Sequence, residues 1–203
     1  IGFTVKQNLS PLERLCFSPV VPPSVRWQGR EVPCATSQAV PVPGAGCAEA
    51  VVRFYDDLPL LTDSALPADR PVILLCPALH PYLAGRRDEV TAGIAAMTVN
   101  GHAVAYASAG ANESTTDQVF AGVSVIARQG EVLDASQPFS GVPASASFPA
   151  EGFPLSGSRL AQPEVAVRAG DPVMPYAPPE GRERAAWCRE CVEIAARGLA
   201  TRM

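Results

Sequence analysis

The chain has 203 residues, 47% of them hydrophobic, and a formal net charge of −4 without any run of lysine or arginine. That length supports one domain with a sizeable core, and the charge pattern lacks the basic footprint that nucleic-acid binding requires. The longest apolar stretch, residues 72–76 (VILLC), falls far short of the ~20 residues that cross a bilayer, and no charged-then-apolar export signal opens the chain, so a cytoplasmic location without membrane contact is expected.

Residues 1–5 (IGFTV) form a short β-prone run with no lead-in, followed by a polar loop from Lys6. Much of the 21-proline content falls in residues 11–43, 138–163 and 172–179, which predicts long loops. Two further β-like runs follow at 48–55 (AEAVVRFY) and 71–75 (PVILL). The second is apolar throughout, as in a strand covered on both faces. In 87–97, Val90, Ile94 and Met97 recur at helical spacing. An extended pattern resumes at 102–109, and a polar loop is expected at 112–117. Runs 119–127 and 131–135 flank Arg128-Gln129-Gly130, whose glycine suits a tight hairpin turn. One more strand is predicted at 163–168, and a helix over 180–202 with Trp187, Cys191, Ile194 and Leu199 as its apolar stripe. There is no internal repeat, and the mixture suits an α/β layered fold.

Four segments carry a resemblance to a known family. Residues 106–126 (YASAGANESTTDQVFAGVSVI) match its Tyr-Ser-Ser-Ala-Gly, Glu-Ser-Thr-Thr-Asp and Phe-x-Gly elements in one uninterrupted register. Residues 26–36 (RWQGREVPCAT) resemble its Gly-x-Glu-Val-Pro-Phe-Gly-Thr strand entry, residues 6–17 the loop that opens with its catalytic lysine, and residues 175–203 its linker helix ending in Gly-Leu-Ala-x-Arg. The family is the nitrilase-superfamily (carbon-nitrogen hydrolase) glutaminase domain of glutamine-dependent NAD synthetases, here its C-terminal part in divergent form. The resemblance implies a nitrilase-like α-β-β-α sandwich, incomplete at the N-terminus. Residues 1–140 would be the hydrolase domain, 141–171 an irregular Pro/Gly/Ser-rich segment closing it, and 172–203 a linker helix toward a synthetase domain. The upstream part with the family's catalytic glutamate and the downstream ATP-binding domain are not in this stretch, so a middle slice of a longer protein is expected. ATP and magnesium would belong to that synthetase domain, with no cofactor in this chain.

In the family a Glu-Lys-Cys set hydrolyses the glutamine side-chain amide through a thioester, with the lysine stabilising the oxyanion. Lys6 falls at the lysine. The strand-end motif Cys-Glu-Asp-Leu corresponds to Tyr55-Asp56-Asp57-Leu58, so Tyr55 stands at the nucleophile. A phenol with an ordinary pKa near ~10 is a poor substitute for a thiolate. Arg86 matches a substrate-binding arginine, while His80 stands where the family has serine and Leu12 where it has an aromatic contact. The family's lysine and arginine are kept, and the other three pocket positions are changed.

Apart from the resemblance, Lys6 and Arg86 read as ordinary loop charges. Glu113 reads as a brace of its loop rather than a catalyst. Cys76 reads as a small buried core residue. The six cysteines are expected to be free thiols. Cys188-x-x-Cys191 lacks the second pair that a zinc site needs, and two histidines are too few for a histidine-rich metal site. Three readings stay open: a glutaminase-dead domain (a pseudoenzyme) kept in a synthetase homologue, a carbon-nitrogen hydrolase with a changed substrate, and a non-catalytic scaffold or oligomerisation module. The partners they imply are glutamine or a related small amide, the synthetase domain of the same polypeptide, and further copies of the chain, with neither nucleic acid nor membrane.

Overall fold

In the computed structural model the described residues are 2–11, 13–18, 20–43, 48–60, 72–98, 102–115, 117–149 and 181–203. The expected strand at 163–168 and the closing segment from 150 to 171 lie outside them. The architecture is α/β. A six-stranded mixed sheet runs in the order β4 (Gln38–Pro41), β5 (Glu49–Val52), β6 (Val72–Ala78), β7 (Ala103–Ser108), β8 (Ser124–Arg128), β9 (Glu131–Ala135). Its centre, β5-β6-β7, is parallel, and both flanks are antiparallel. A separate three-stranded sheet places β3 (Arg30–Ala35) between β1 (Phe3–Thr4) and β2 (Ser24–Trp27).

The helix α1 (Arg86–Met97) forms where the spacing predicts it, and buries Val90, Ile94 and Met97. They pack with Val72, Leu74 and Cys76 of β6, Val104 and Tyr106 of β7, and Val125 and Ala127 of β8 in one apolar cluster. Burying each large aliphatic side chain stabilises the fold by about 1.5–3 kcal/mol, which is why this face and not helix propensity fixes α1. In β6 the alternate residues Ile73 and Leu75 are only half-buried. The expectation of full cover on both faces therefore holds for one face alone.

Three elements differ from the sequence reading. The proline-rich stretch 11–43 contains β2, β3 and β4, not only loops. Pro41 fits because β4 is the edge strand of its sheet, where a missing N–H costs no ladder bond. The run 48–55 is strand only to Val52, and Tyr55 opens a 3-10 turn over Tyr55–Leu60. On α2 (Arg182–Arg202), Trp187, Cys191 and Ile194 are half-buried, but Leu199 is exposed. Gly198 faces inward in its place, so close to the body that an added Cβ would lie 2.7 Å from Val119 Cγ2.

Candidate functional site

The strand ends on one side of the structure bring four of the sequence-derived residues together. After β1 the chain turns at Lys6, and this turn is held by Asp57, whose fully buried carboxylate accepts the Gln7 N–H (3.1 and 2.9 Å) and the Asn8 N–H (2.5 Å). Asp57 belongs to the 3-10 turn after β5, so one carboxylate fixes the lysine loop against the Tyr55 turn. Arg53, also buried, adds its charge beside Asp57; burial lowers its pKa, and the Asp57 charge opposes that shift.

Lys6 Nζ donates to Glu13 Oε1 (2.8 Å) and Oε2 (3.0 Å) and pairs with Asp56 Oδ2. The other Asp56 oxygen meets His80 Nε2. Glu13 is itself fixed by a capping box: its Oε2 accepts the Ser10 N–H (2.7 Å), while Ser10 Oγ accepts the Glu13 N–H (3.2 Å). The result is a polar chain, Glu13–Lys6–Asp56–His80, with side chains 13–21% exposed. Burial by itself would lower the Lys6 pKa, but hydrogen bonds and charge from Asp56 and Glu13 outweigh it and leave it raised. For Asp56 burial acts upward and is overcome by His80 and Lys6, which hold it below the usual carboxylate value. Glu13 is likewise lowered, by Lys6 and Ser10 against burial. Lys6 is therefore an ammonium whose charge is already matched by two carboxylates.

Tyr55 stands next to this chain, its ring edge-on to His80 (centroids 5.4 Å apart, 82°) and to Tyr106 of β7 (5.2 Å, 79°). Burial raises the Tyr55 pKa above 10.0; the Arg86 charge opposes this, and Cys76 and Asp56 reinforce it. Tyr106 is raised for the same first reason. Arg86, at the first turn of α1, reaches Glu89 at 3.5 Å through Nη1, while its buried Nε–H has no hydrogen-bond partner. Cys76 is 1% exposed, and burial pushes its thiol up to about 12. It has neither the exposure nor the acidity of a nucleophile.

Lys6, Tyr55 and His80 thus share one site, with Arg86 near enough for its charge to act on both tyrosines. Leu12 lies outside the described residues. Asp56, Asp57 and Glu13 were not assigned roles from sequence; the one local signal for any of them is the Ser10-x-x-Glu13 box. Glu113 has an exposed side chain. The bracing of its loop comes from Ser114 Oγ, which accepts the Phe120 N–H (3.0 Å), and from Thr115 Oγ1, which accepts from Asp117 and Gln118. Beside the aromatic wall of Tyr55 and Tyr106, the Arg86 Nε–H is a buried donor without a hydrogen-bond partner. Among the described residues the site offers no activated nucleophile. Among the described residues no group of three His, Cys, Asp or Glu could hold a metal, and no helix is long and apolar enough to cross a membrane.

What the fold defines is an α/β protein with a parallel sheet centre and its polar site at the strand ends. It is similar to part of the crystal structure of a glutamine-dependent NAD(+) synthetase from Cytophaga hutchinsonii, at 15% identity and a TM-score of 0.51, over 71% of this chain and 24% of that one. A glutamine-dependent NAD+ synthetase from Acinetobacter baumannii in complex with adenosine diphosphate overlaps 58% of this chain and 24% of its own, at 14% identity and a TM-score of 0.40. The chain therefore spans about a quarter of the length of either protein. No protein-family model and no curated protein matches the sequence.

Proposed function

We propose that this chain is a nitrilase-like glutaminase domain, or part of one, from a homologue of the glutamine-dependent NAD synthetases, and that its glutamine hydrolysis is impaired. The fold likeness supports the first half. Tyr55 carries the second: it takes the turn after β5 where the sequence resemblance puts a nucleophilic cysteine, and it is an un-ionised phenol. A phenol of raised pKa attacks an amide too weakly to replace a thiolate. The nearest buried thiol, Cys76, is held protonated. Lys6 fits an oxyanion-stabilising ammonium by charge, but Asp56 and Glu13 already neutralise it, so it can face a developing oxyanion only if Asp56 lets go.

The test is release of ammonia from L-glutamine by the chain and by its Tyr55→Phe variant. Equal background release from both is the expected result. Turnover by the natural chain that disappears in Tyr55→Phe overturns the reading. A scaffold role is favoured by one separate observation, the exposed Val192 and Leu199 on α2. Light scattering that shows a stable oligomer in the Lys6→Met variant as well as in the natural chain would support it.

A further inference from the structure

The strap from Leu79 to Gly85 connects β6 to α1 and carries His80 at one end and Arg86 just past the other. Its own hydrogen bonds are few. Tyr82 N–H donates to Val119 O (2.7 Å) and Arg86 N–H to Leu83 O (3.0 Å). Gly85, at the N-cap of α1, sits in the left-handed region (φ 79°) and has no side-chain cap of its own. Its N–H is satisfied from across the molecule: Glu190 of α2 accepts Gly85 N–H through Oε2 (2.9 Å) and the Tyr82 hydroxyl through Oε1 (2.5 Å). One carboxylate, 105 residues further along the chain, therefore clasps the strap at two points. Burial, the hydrogen bond to Glu190 and its charge raise the Tyr82 pKa, so the phenol remains a donor throughout the neutral range.

Tyr82 also belongs to the apolar core cluster, against which Phe139 and, from α2, Ile194 pack, so the clasp adds a polar contact to an apolar one. A cavity of 380 Å³ lies beside it, lined by Tyr82, Gly85, Glu190 and Glu193 among others. Among the described residues α2 also meets the body through Ile194 against the core, Gly198 on Val119, Arg197 over the Phe139 ring (5.6 Å) and Arg202 to Thr115 O (3.3 Å). Val119 links the two contacts, because its carbonyl holds Tyr82 and its side chain meets Gly198.

We infer that Glu190 is a positioning residue for the strap, so that the docking of α2 sets where the Arg86 guanidinium stands at the candidate site. The inference takes from the sequence resemblance on which the proposed function rests only that Arg86 belongs to the ligand site. Backbone exchange and arginine reactivity, both read without ligand, test it independently of any glutamine assay.

Hydrogen exchange is followed by mass spectrometry on the natural chain and on the Glu190→Ala, Glu190→Gln and Tyr82→Phe variants, with Glu193→Ala as a control on the same helix. In Glu190→Ala, removing a charged acceptor should speed exchange in residues 80–88 by about tenfold or more, while β6 and β7 keep their protection. Glu190→Gln keeps an acceptor and should restore most of the protection. Arg86 is read directly by its modification with phenylglyoxal, which should quicken severalfold in Glu190→Ala and stay near the natural rate in Glu190→Gln and Glu193→Ala. Strap exchange and Arg86 reactivity within about twofold of the natural chain overturn the inference. So does a loosening of β6 and β7 equal to that of the strap, since that marks a general stabilising role. Should Glu190→Ala fail to fold, Tyr82→Phe removes one of the two clasps alone and decides by the same criteria.

Discussion

Asp57 has the largest structural role of the residues around the site, because its one carboxylate satisfies the Gln7 and Asn8 N–H groups and faces the buried Arg53. Asp57→Ala leaves those two donors without their acceptor and removes the opposite charge near Arg53, and should destabilise the fold by about 3 kcal/mol in urea denaturation. A loss below ~0.5 kcal/mol would mean that the lysine loop is held by something else. Lys6→Met removes the cation between Asp56 and Glu13, and should destabilise by about 2 kcal/mol while raising both carboxylate pKa values, which a carboxyl-selective NMR titration reads. Lys6, Tyr55 and His80 could be picked out from sequence because each falls at a pocket position of the resembled segments, the last two where the residue differs from the family's. Asp57 could not, since a buried aspartate that satisfies backbone N–H groups fifty residues away leaves no local pattern. Glu13 did leave one, the capping box with Ser10, but its second role, toward Lys6, depends on the loop folding back.

Turn chemistry decided which elements could be read. The β8–β9 connection has Gln129 (φ 55°) and Gly130 (φ 81°) both left-handed, as a two-residue hairpin turn whose twist matches its strands demands. Thr98 Oγ1 accepts the Gly130 N–H at 2.9 Å and ties this turn to the end of α1. Gly130→Ala places a Cβ in that conformation and should cost about 1–2 kcal/mol, visible as a lowered thermal midpoint with an unchanged fold by circular dichroism. The same Gln-Gly pair occurs between β2 and β3, where Gln28 (φ 48°) and Gly29 (φ 78°) make the same turn. Only the first hairpin was expected, because alternating apolar strands flank it. Around the second, Pro22, Pro23 and Pro33 spoil the strand pattern, although Pro33 is accommodated within β3. The helix α2 shows the complementary limit. Its extent was legible from composition, and Trp187, Cys191 and Ile194 of the expected stripe are half-buried, but the next inward position is Gly198 and not Leu199.

At the scale of the molecule, four buried or half-buried titratable groups among the described residues bear on how stability varies with pH. His102 is fully buried with neither ring nitrogen hydrogen-bonded, and burial lowers its pKa below the ordinary 6.5. The unfolded chain therefore binds a proton near pH 6.5 that the folded chain refuses, so stability contributed by neutral His102 is complete above about 6.5 and is lost as pH falls through and below it. Asp56 and Glu13 are depressed below 3.8 and 4.5, so their contribution is complete above those values and is lost at more acid pH. Lys6, raised above 10.5, acts at the other end, its contribution disappearing as pH climbs past its folded value. All three acid-side groups act in one direction, and the chain should gain stability from pH 4 to 7 and then level off. His102→Leu separates the contributions, because it removes only the upper step. Urea midpoints at pH 5, 6 and 7.5 should rise for the natural chain and become nearly flat over that interval in the variant, whereas a variant with an undiminished slope would place the neutral-range dependence outside His102.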